Sequence, residues 1–407
     1  MNLVKRILFL SDNFPPEVNA PATRTFEHAT EWVKRGYDVT VITCNPNFPH
    51  GEIYKGYSNK LVSKEIINGI KIIRVWTYIA PNKGFFKRIL DYISYAVMAF
   101  FIGLFVKTDI IVATSPQFFT ALAGRWLSFF KFKPWIMEVR DLWPESIVAV
   151  GAIKKGSTYK FLEWIELKLY ISAKKIIVVT DSFKKKIILK GINKEKIHVH
   201  KNGVNLSFFK SRSKDLKLLK NYPQLIDKKV FAYIGTLGMA HGLSFILNSL
   251  AKLNKYLPEA HFVFIGEGAE KENLIKQSIK LKLTNITFIP FISKHEIARY
   301  LSLIDVALVN LRKSDTFKTV IPSKIFEAAA LKKPILLGLE GETKEIIEFF
   351  GAGICFKPEN EIDFIQKCKM IIEESRYKNF QSGCERLAVS FDRKKIALNI
   401  LKTITTN

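Results

Sequence analysis

The sequence predicts an α/β protein with two doubly wound domains, and three observations support this prediction. Short apolar runs alternate with segments of helical spacing, and nearly every run is apolar throughout, as in strands buried on both faces. The alternation stops once near the middle of the chain and then starts again. The length of 407 residues is also more than a single hydrophobic core usually supports.

The first domain is predicted to contain a parallel sheet whose strands are separated by helices. A helix over 24–35 follows the first strand, and Gly36 is placed to end it. The predicted strands are residues 5–11, 39–43, 70–77, 109–114, 134–140, 174–180 and 197–200. Strands that alternate with helices in this way favour a doubly wound sheet.

The second domain repeats this rhythm after a basic, aperiodic stretch over 210–229, which we interpret as the connection between domains. The domains are therefore expected at 1–209 and 210–390, with a C-terminal helix within 391–407 that crosses back to the first. The predicted strands of the second domain are residues 230–235, 261–266, 285–290, 305–311 and 334–338. Its predicted helices are residues 243–256, 270–281, 294–303 and 324–331.

The composition points to a cytoplasmic protein. The start of the chain does not resemble a signal peptide, because its apolar run is short and ends at Ser11 and Asp12. The four cysteines lack the spacing of a disulfide framework or a metal site, which favours a reducing compartment. They are Cys44, Cys355, Cys368 and Cys384.

The net charge of +26 suggests an anionic partner, either nucleic acid or a membrane. The charge is spread along the chain: residues 1–205 hold 31 basic and 16 acidic side chains, and the remainder holds 32 and 21. The chain is also rich in Lys, Ile, Asn and Phe, and an AT-rich genome that favours these residues explains the charge equally well. Because no basic cluster or recognition motif stands out, we expect no nucleic-acid partner.

The loop after the first predicted strand, residues 11–24, contains Pro15 and Pro16 and then opens a helix. The start of a helix offers N–H groups to a phosphate or carboxylate. The loop lacks the G-x-G-x-x-G pattern, so a nicotinamide cofactor is not indicated. The alternative is a rigid connecting loop without a ligand.

A charged pair, Arg140 and Asp141, directly follows the predicted strand 134–140, with Trp143 and Pro144 behind it. Charges at the end of a buried strand are costly unless they are used, which favours a functional role. The alternative is an ion pair of Arg140 with a neighbour and a core position for Trp143.

Glycines follow two successive strands of the second domain, at Gly235 and Gly238 and again at Gly266 and Gly268. Glycines at strand ends allow a ligand to approach the backbone closely. In an open parallel sheet, ligands bind at the carboxyl ends of the strands.

The segment from Pro322 to Glu327 contains the most specific pattern. Pro322 suits the first turn of a helix, and Ser323 can cap it or donate a hydrogen bond. A helix N-terminus attracts a diphosphate, Lys324 adds a cation, and the carboxylate of Glu327 can accept ribose hydroxyls. The alternative is an ordinary capped helix with a surface Lys–Glu pair.

The order of these motifs resembles the retaining glycosyltransferases of family 4, which have the GT-B fold of two Rossmann-like domains facing a cleft. The resemblance covers essentially the whole chain and is most specific at residues 202–205 and 322–327. The closest group looks like bacterial enzymes of O-antigen, capsule and exopolysaccharide assembly, including fucosamine-type transferases. The matching segments are residues 14–16 with 19–20, 140–144, 201–205 with 208–209, 265–268 and 322–327.

The resemblance implies a nucleotide-sugar donor, with UDP favoured by family habit. The donor-binding residues would be Pro16, Gly235, Thr236, Gly266, Glu267, Gly268, Ile292, Pro322, Ser323 and Glu327. The catalytic residues would be Arg140, Asp141 and Lys324, and the acceptor-binding residues would be Asn19, Arg24 and Trp143.

The chain departs from the family pattern at three places. Glu327 matches the second glutamate of the E-x7-E signature, but Thr319 stands where the first is usual, which is compatible with a deoxy or amino sugar. The phosphate-binding Arg and Lys after Gly235 are missing, and His241 lies where the Lys is expected. The usual His-Asp pair is replaced by Arg140 and Asp141.

The mechanism that the resemblance implies is transfer with retention of anomeric configuration. Cationic and N–H donors would stabilise the departing diphosphate oxygen. The GT-B family needs no D-x-D motif, so we expect neither a catalytic metal nor a cofactor.

The segment 84–107 raises the question of a membrane. Lys83, Lys87 and Arg88 precede residues 92–106, which carry no charge. A bilayer span needs about 20 apolar residues, so no transmembrane helix is expected. Aromatic density and basic neighbours suit an interfacial helix at the cytoplasmic face of the inner membrane, where an undecaprenyl-diphosphate-linked acceptor would lie. A buried helix is the alternative.

A second enzyme class, the nucleotide-sugar epimerases, shares the GT-B architecture. Such an enzyme would be expected to have more carboxylate and histidine catalysts than Asp141 and Glu327. The expected function is therefore glycosyl transfer to a lipid-linked glycan, with the epimerase and, more remotely, a nucleic-acid-binding module as alternatives.

Overall fold

The computed structural model describes residues 5–48, 50–79, 85–115, 118–149, 153–292 and 294–406. The chain forms two compact units. Met1–Lys201 together with Arg393–Asn407 make the first, and Asn202–Asp392 make the second. Both units are α/β, as predicted.

The first unit is built on a sheet whose described strands run in the order β3-β4-β2-β1-β5-β6-β7-β8. All neighbours are parallel except β3 and β4. The strands are β1 Arg6–Leu10, β2 Asp38–Cys44, β3 Val62–Ile67, β4 Ile70–Val75, β5 Ile110–Thr114, β6 Trp135–Val139, β7 Lys175–Val178 and β8 Ile197–Val199. Its helices are α1 Ala20–Lys34, α2 Phe85–Leu104, α3 Phe118–Lys131, α4 Glu145–Ala149, α5 Ser157–Ser172 and α6 Asp181–Leu189.

The antiparallel strand β3 was missed by the sequence analysis. It forms a hairpin with β4 through Asn68 and Gly69, whose φ angles are +50° and +78°. Asn-Gly between two runs rich in β-branched residues is a strong hairpin signal, because this turn needs positive φ at both central positions.

The described part of helix α2 is buried on one face and exposed on the other. Tyr95 and Ala99 are buried in the core of the first unit, whereas Val97 and Phe101 on the opposite face are exposed. Gly84 and the side chains of Phe85 and Phe86 lie outside the described residues. Among the described residues, no helix combines the length and apolarity that a bilayer span requires.

The second unit contains an entirely parallel sheet in the order β11-β10-β9-β12-β13-β14. The strands are β9 Lys229–Ile234, β10 Ala260–Ile265, β11 Ile286–Ile289, β12 Val306–Asn310, β13 Ile335–Gly338 and β14 Gly353–Cys355. Its helices are α7 Leu216–Leu219, α8 Leu243–Tyr256, α9 Lys271–Lys280, α10 Lys294–Leu303, α11 Lys324–Ala330, α12 Glu342–Phe350, α13 Glu361–Ile371 and α14 Glu374–Ser390.

The C-terminal helix α15, Arg393–Thr405, belongs to the first unit and packs on α1. The Trp32 indole donates a hydrogen bond of 2.8 Å to the Ala397 carbonyl, and Arg393 pairs with Glu27 at 2.5 Å. The return of the chain is therefore fixed by buried contacts.

The division between the units lies eight residues earlier than the expected boundary at 209. The Val204 amide donates to the Phe391 carbonyl at 3.0 Å, and Val204 and Phe209 pack in a core of the second unit. The interpretation of 210–229 as a connecting stretch was wrong, because Leu218 and Leu225 are buried in the second unit. Leucines spaced around a short helix and a 3₁₀ turn leave too little periodicity to predict this packing.

The strand order reverses once in each unit, between β1 and β5 in the first and between β9 and β12 in the second. Loops after the strands on either side of such a reversal leave in opposite directions and open a crevice at the carboxyl ends. Residues 11–19 follow β1, and residues 235–242 follow β9. The topology of each sheet thus places the loop of that unit at the edge where ligands bind in open parallel sheets.

Candidate active site

The site in the second unit centres on Lys324 at the start of α11. Its ammonium donates a hydrogen bond of 2.7 Å to the Tyr233 hydroxyl and lies 3.9 Å from the centre of that ring. The Tyr233 hydroxyl in turn donates to the Thr236 carbonyl at 2.7 Å. This chain of contacts links α11 to the loop after β9, which contains the predicted donor residues Gly235 and Thr236.

Burial lowers the pKa of Lys324 to about 7, and the charge of Glu327 counteracts part of that shift. Burial likewise raises the pKa of Tyr233, so its hydroxyl stays protonated. Lys324 is therefore not the surface partner of a Lys–Glu pair that was considered as an alternative. Its amino group is largely shielded from water beside β9, and a nearby anion would stabilise its charged form.

Gly235 makes the position of Lys324 possible. Its φ is +133°, and a Cβ built on Gly235 would lie 2.8 Å from both Cε and Nζ of Lys324. Any side chain at this position would therefore be strained and would also displace the lysine.

The two glycines after β10 allow the loops after β9 and β10 to pack closely. A Cβ on Gly266 would lie 2.0 Å from the Gly235 carbonyl oxygen, and one on Gly268 would lie 2.3 Å from the Leu237 carbonyl oxygen. The Leu237 amide donates to the Glu267 carbonyl at 2.8 Å, and the Glu270 amide donates to the Leu237 carbonyl at 2.9 Å. The glycine pattern that predicted close approach of a ligand thus also serves close approach of the two loops.

Two further polar residues lie near Tyr233, since the His241 ring is 5.5 Å from the Tyr233 ring and Asn310 contacts His241. The Asn310 amide donates to the His241 carbonyl at 2.7 Å, and its buried Oδ1 makes no hydrogen bond among the described residues. Burial and the Lys324 charge lower the pKa of His241 to about 4, so the imidazole is neutral. Sequence reasoning identified His241 but missed Asn310, which ends a strand that reads as apolar.

Ser323 stands at the N-cap position of α11, but its side chain makes no capping hydrogen bond. The capping role was therefore wrong, because Ser323 is itself helical in φ and ψ. Its neighbour Pro322 precedes the helix and accepts a hydrogen bond of 3.3 Å from the Ile325 amide. Glu327 lies one turn beyond Ser323 and is half-buried.

Three other positions that the sequence analysis discussed also belong to the second unit: Glu267, Ile292 and Thr319. Glu267 is exposed and pairs with Lys271 at 2.5 Å, so its backbone rather than its carboxylate contributes to the loop contact. Ile292 packs half-buried against the core of the second unit. Thr319, which replaces the usual glutamate, donates to the Thr316 carbonyl at 2.9 Å within a 3₁₀ turn.

In the first unit, Arg140 and Asp141 directly follow β6 and are both partly buried. The Arg140 amide donates to the Ser115 hydroxyl at 3.0 Å. Burial lowers the pKa of Arg140 to about 9, and burial also raises the pKa of Asp141. Sequence reasoning found this pair but missed Ser115, which has no signal beyond its place after β5.

Arg24 forms a buried ion pair with Glu138, with Nη1 2.7 Å from Oε1. The carboxylate was not predicted, because Glu138 lies within β6 and the strand was read as an apolar run. An ion pair involving Arg140 had been the alternative to function, whereas the buried ion pair with Glu138 belongs to Arg24.

The remaining predicted residues of this loop region have structural contacts. Asn19 caps α1 by accepting a hydrogen bond of 2.9 Å from the Ala22 amide, and it donates to Asn13 at 2.6 Å. Pro16 is exposed, and Trp143 packs half-buried against the core of the first unit. Gly36, at φ +84°, follows the end of α1 as predicted.

Protein-family models match both parts of the chain. A model described as Glycosyltransferase Family 4 matches residues 22–208, and one described as Glycosyl transferases group 1 matches residues 217–383. A putative colanic acid biosynthesis glycosyl transferase, WcaI of Escherichia coli K12, is 25% identical over 367 residues, which is 87% of this chain and 89% of WcaI. A probable glycosyltransferase, WbjE of Pseudomonas aeruginosa, is 28% identical over 54% of this chain and 55% of its own length.

A solved structure shares the fold of this chain. The crystal structure of HepE from Anabaena in complex with UDP-glucose superposes with a TM-score of 0.70 over 98% of both chains at 16% identity. Since both units match glycosyltransferase models and the whole chain superposes on this structure, the protein is a glycosyltransferase of family 4 with the GT-B fold.

Proposed function

We propose that the protein transfers a sugar from a UDP-sugar to a lipid-linked glycan in the assembly of a bacterial surface polysaccharide. The observation that carries the proposal is the buried Lys324, held by Tyr233 against the glycine loop at the switch point of the second sheet. Burial lowers the pKa of Lys324, and a neighbouring diphosphate would favour its charged form. The name of WcaI supports the polysaccharide context, and the UDP-glucose bound to HepE supports a UDP donor.

The chemistry of transfer would proceed with retention of configuration. As the glycosidic bond breaks, negative charge develops on the departing diphosphate oxygen, and the Lys324 ammonium stabilises it. In the first unit, Arg140 donates hydrogen bonds and Asp141 orients the acceptor hydroxyl. The Glu327 carboxylate accepts hydrogen bonds from the ribose hydroxyls.

The direct test is a donor screen monitored by nucleotide release. UDP-linked hexoses, N-acetylhexosamines and N-acetylated amino-deoxyhexoses are offered with a lipid-diphosphate glycan acceptor, and an amino-deoxyhexose is the donor that we favour. Acceptor-dependent release of UDP supports transfer. Interconversion of the donor without any acceptor would support the epimerase alternative instead.

A binding titration tests the remaining alternative, a nucleic-acid-binding module. We expect UDP to bind more tightly than GDP, and single-stranded DNA not to compete with it. Replacing Glu327 with Ala should weaken donor binding, and unchanged donor affinity and turnover in that variant would refute its role.

We also propose that transfer needs no metal, because Lys324 supplies the positive charge at the diphosphate. Activity should persist after the enzyme is treated with a chelator. Loss of activity that Mn²⁺ restores would contradict this part of the proposal.

A membrane surface as partner is supported by the exposed side of α2 and α3. Ile93, Val97, Phe101 and Phe105 are spaced by four residues, and all are exposed. The neighbouring α3 exposes Trp126, Phe129 and Phe130, and Phe132 follows directly after it. We call these eight residues the aromatic surface.

The aromatic surface is one continuous feature of the first unit, because α2 and α3 are packed together. The rings of Phe100 and Phe130 lie 5.6 Å apart, and the Lys131 ammonium donates to the Leu104 carbonyl at 2.7 Å. The exposed cations Lys87, Arg88 and Lys107 lie along α2 and just beyond its end. Exposed aromatics with adjacent cations suit the interface of an anionic bilayer, so we propose peripheral attachment to the cytoplasmic face of the inner membrane.

A further inference from the structure

The first unit contains a buried cluster of arginines that holds more positive than negative charge. Arg24 from α1 and Glu138 from β6 pair at 2.7 Å, and their side chains are only 5% and 4% exposed. Arg140 follows Glu138 by two residues, so the extended backbone directs both side chains to the same face of the sheet. Arg24 and Glu138 are both among the charges that act on the Arg140 guanidinium.

Several guanidinium nitrogens of this cluster have no hydrogen-bond partner in the part of the chain that the structure describes. Nη2 of Arg24 and both Nε and Nη1 of Arg140 are shielded from solvent and make no hydrogen bond among the described residues. A guanidinium carries five N–H donors and no acceptor, and a buried charged donor without a partner is costly. The fold therefore retains donors whose partner is not a described residue of the protein.

The neighbouring groups do not neutralise the excess charge. Arg393 is matched by Glu27 at 2.5 Å, which leaves Glu138 as the carboxylate shared by Arg24 and Arg140. His28 and His200 add no charge. Burial, reinforced by Arg24, lowers the pKa of both imidazoles, to about 4 for His200.

We propose that Arg24 and Arg140 form a binding site for an oxyanion, either a phosphate or a carboxylate. The planar fork of arginine matches the two oxygens of such a group, and the site lies where β6 ends, at the carboxyl edge of the sheet. The anion would be the phosphate of a lipid-linked acceptor or the carboxylate of an acidic sugar. That it belongs to a glycosyl donor or acceptor rests on the proposed function, whereas the affinity for an oxyanion does not.

The test uses the full chain without turnover. Inorganic phosphate and D-glucuronate are titrated calorimetrically, and the midpoint of thermal unfolding is followed by tryptophan fluorescence. At least one of these anions should bind the wild type and raise its midpoint. Arg140→Met should bind that anion roughly tenfold more weakly or not at all, because two charged hydrogen bonds are lost.

A matched control accounts for the high net charge of the chain. Arg35→Met removes an exposed arginine of the same unit and should leave anion binding unchanged. Without an anion, Arg140→Met should be at least as stable as the wild type, since it removes a buried charge that lacks its own partner. If that variant does not fold, Arg140→Lys retains the charge without the fork and should still lose affinity.

The outcomes distinguish the sources and the hypotheses. Binding of phosphate alone indicates an acceptor phosphate, and binding of glucuronate alone indicates an acidic sugar. Absence of binding to the wild type, or equal affinity in the wild type and the folded Arg140 variant, overturns the site. An enzyme that binds the anion through Arg140 but transfers no sugar refutes only the proposed function.

Discussion

The ammonium of Lys324 donates a hydrogen bond of 2.7 Å to the hydroxyl of Tyr233 and lies 3.9 Å from the centre of its ring. Tyr233 is fully buried in β9, so this contact ties the first residue of α11 to the central strand of the sheet. The hydroxyl accepts from Lys324 and donates to the Thr236 carbonyl, which fixes the direction of both hydrogen bonds. The lysine is thereby positioned before a ligand binds, which reduces the entropy lost on binding.

The first prediction concerns Gly235, whose missing side chain provides the space for Lys324. Gly235→Ala should lower UDP affinity roughly tenfold or more, because the new methyl group would lie 2.8 Å from Lys324 Nζ and would move the charge away. The measurement is calorimetric titration of the full-length enzyme with UDP.

Gly238→Ala is the matched control for that variant. Gly238 lies in the same loop at φ −123°, and the nearest atom to a Cβ there is Thr236 Cγ2 at 3.6 Å. Its UDP affinity should stay within about threefold of the wild type, as expected for an ordinary surface change. Equal losses in both variants would show that the loop, rather than the position of Lys324, controls binding.

The second prediction concerns the pH dependence of donor binding. Burial lowers the pKa of Lys324 to about 7, and only the protonated form attracts a diphosphate. Above pH 7 the free enzyme must take up a proton to bind, so UDP affinity should fall by up to about tenfold per pH unit. Titrations between pH 7 and 9 in buffers of different ionisation enthalpy measure both the affinity and the proton uptake.

Lys324→Arg is the informative comparison for this pH profile. A guanidinium stays charged throughout the range, so the variant should show a flat profile, even though its geometry and affinity differ. A wild-type profile that is also flat, with no proton taken up, would contradict the assignment of Lys324 to the diphosphate.

How far the sequence alone predicts this site depends on where each residue lies along its element. Gly235, Gly266 and Lys324 follow strands or open a helix, so they interrupt a regular pattern and were found. Tyr233 and Glu138 lie within strands, where an aromatic or a single acidic residue does not disturb an apolar run. Their roles depend on contacts across the sheet, such as Lys324 to Tyr233, which no spacing along the chain encodes.

The same reasoning explains which parts of the fold were missed. The central strands are continuous apolar runs and were located closely. The edge strands β3 and β14 were missed, and β3 alternates polar and apolar residues instead of forming an apolar run. Helices α12 to α14 follow the last predicted strand, where no further strand signals divided the chain.

The third prediction concerns Glu17, a buried carboxyl in the loop after β1. Its Oε1 accepts hydrogen bonds of 2.9 Å from the Asn47 and Phe48 amides, whereas Oε2 makes none among the described residues. Burial raises its pKa to about 7, above the ordinary value of 4.5. Between these two pH values the folded state binds more protons than the unfolded state, so stability should fall as the pH rises through this window.

Glu17→Gln should remove the contribution of Glu17 to this pH dependence, because its amide oxygen can still accept from the loop amides without carrying charge. At pH 8 the variant should be more stable than the wild type by up to about 3 kcal/mol, and the two should converge near pH 4.5. Urea denaturation followed by tryptophan fluorescence measures this in the first unit, which holds every tryptophan of the chain: Trp32, Trp76, Trp126, Trp135, Trp143 and Trp164.

The exposed Glu259 provides a comparison for that experiment. Glu259→Gln changes the net charge by the same amount but should leave the stability profile of the first unit unchanged. If Glu17→Gln and the wild type gave parallel profiles across pH 4.5 to 8, ionisation of Glu17 would not be the cause.

The last prediction concerns the aromatic surface. Phe101 and Phe129 are 55% and 64% exposed on α2 and α3, two helices that pack together. Burial of a phenylalanine in an apolar phase contributes about 1.5–3 kcal/mol, so a double replacement by Ser should weaken vesicle binding by roughly 100-fold or more. Sedimentation with vesicles of phosphatidylglycerol and phosphatidylethanolamine measures the partitioning.

Binding by the wild type should also weaken as salt is added, because Lys87 and Arg88 contribute electrostatic attraction. Phe349→Ser removes an aromatic side chain that is 83% exposed in the second unit and should leave binding unchanged. Equal binding by the wild type and the folded double variant would exclude the aromatic surface as the attachment site.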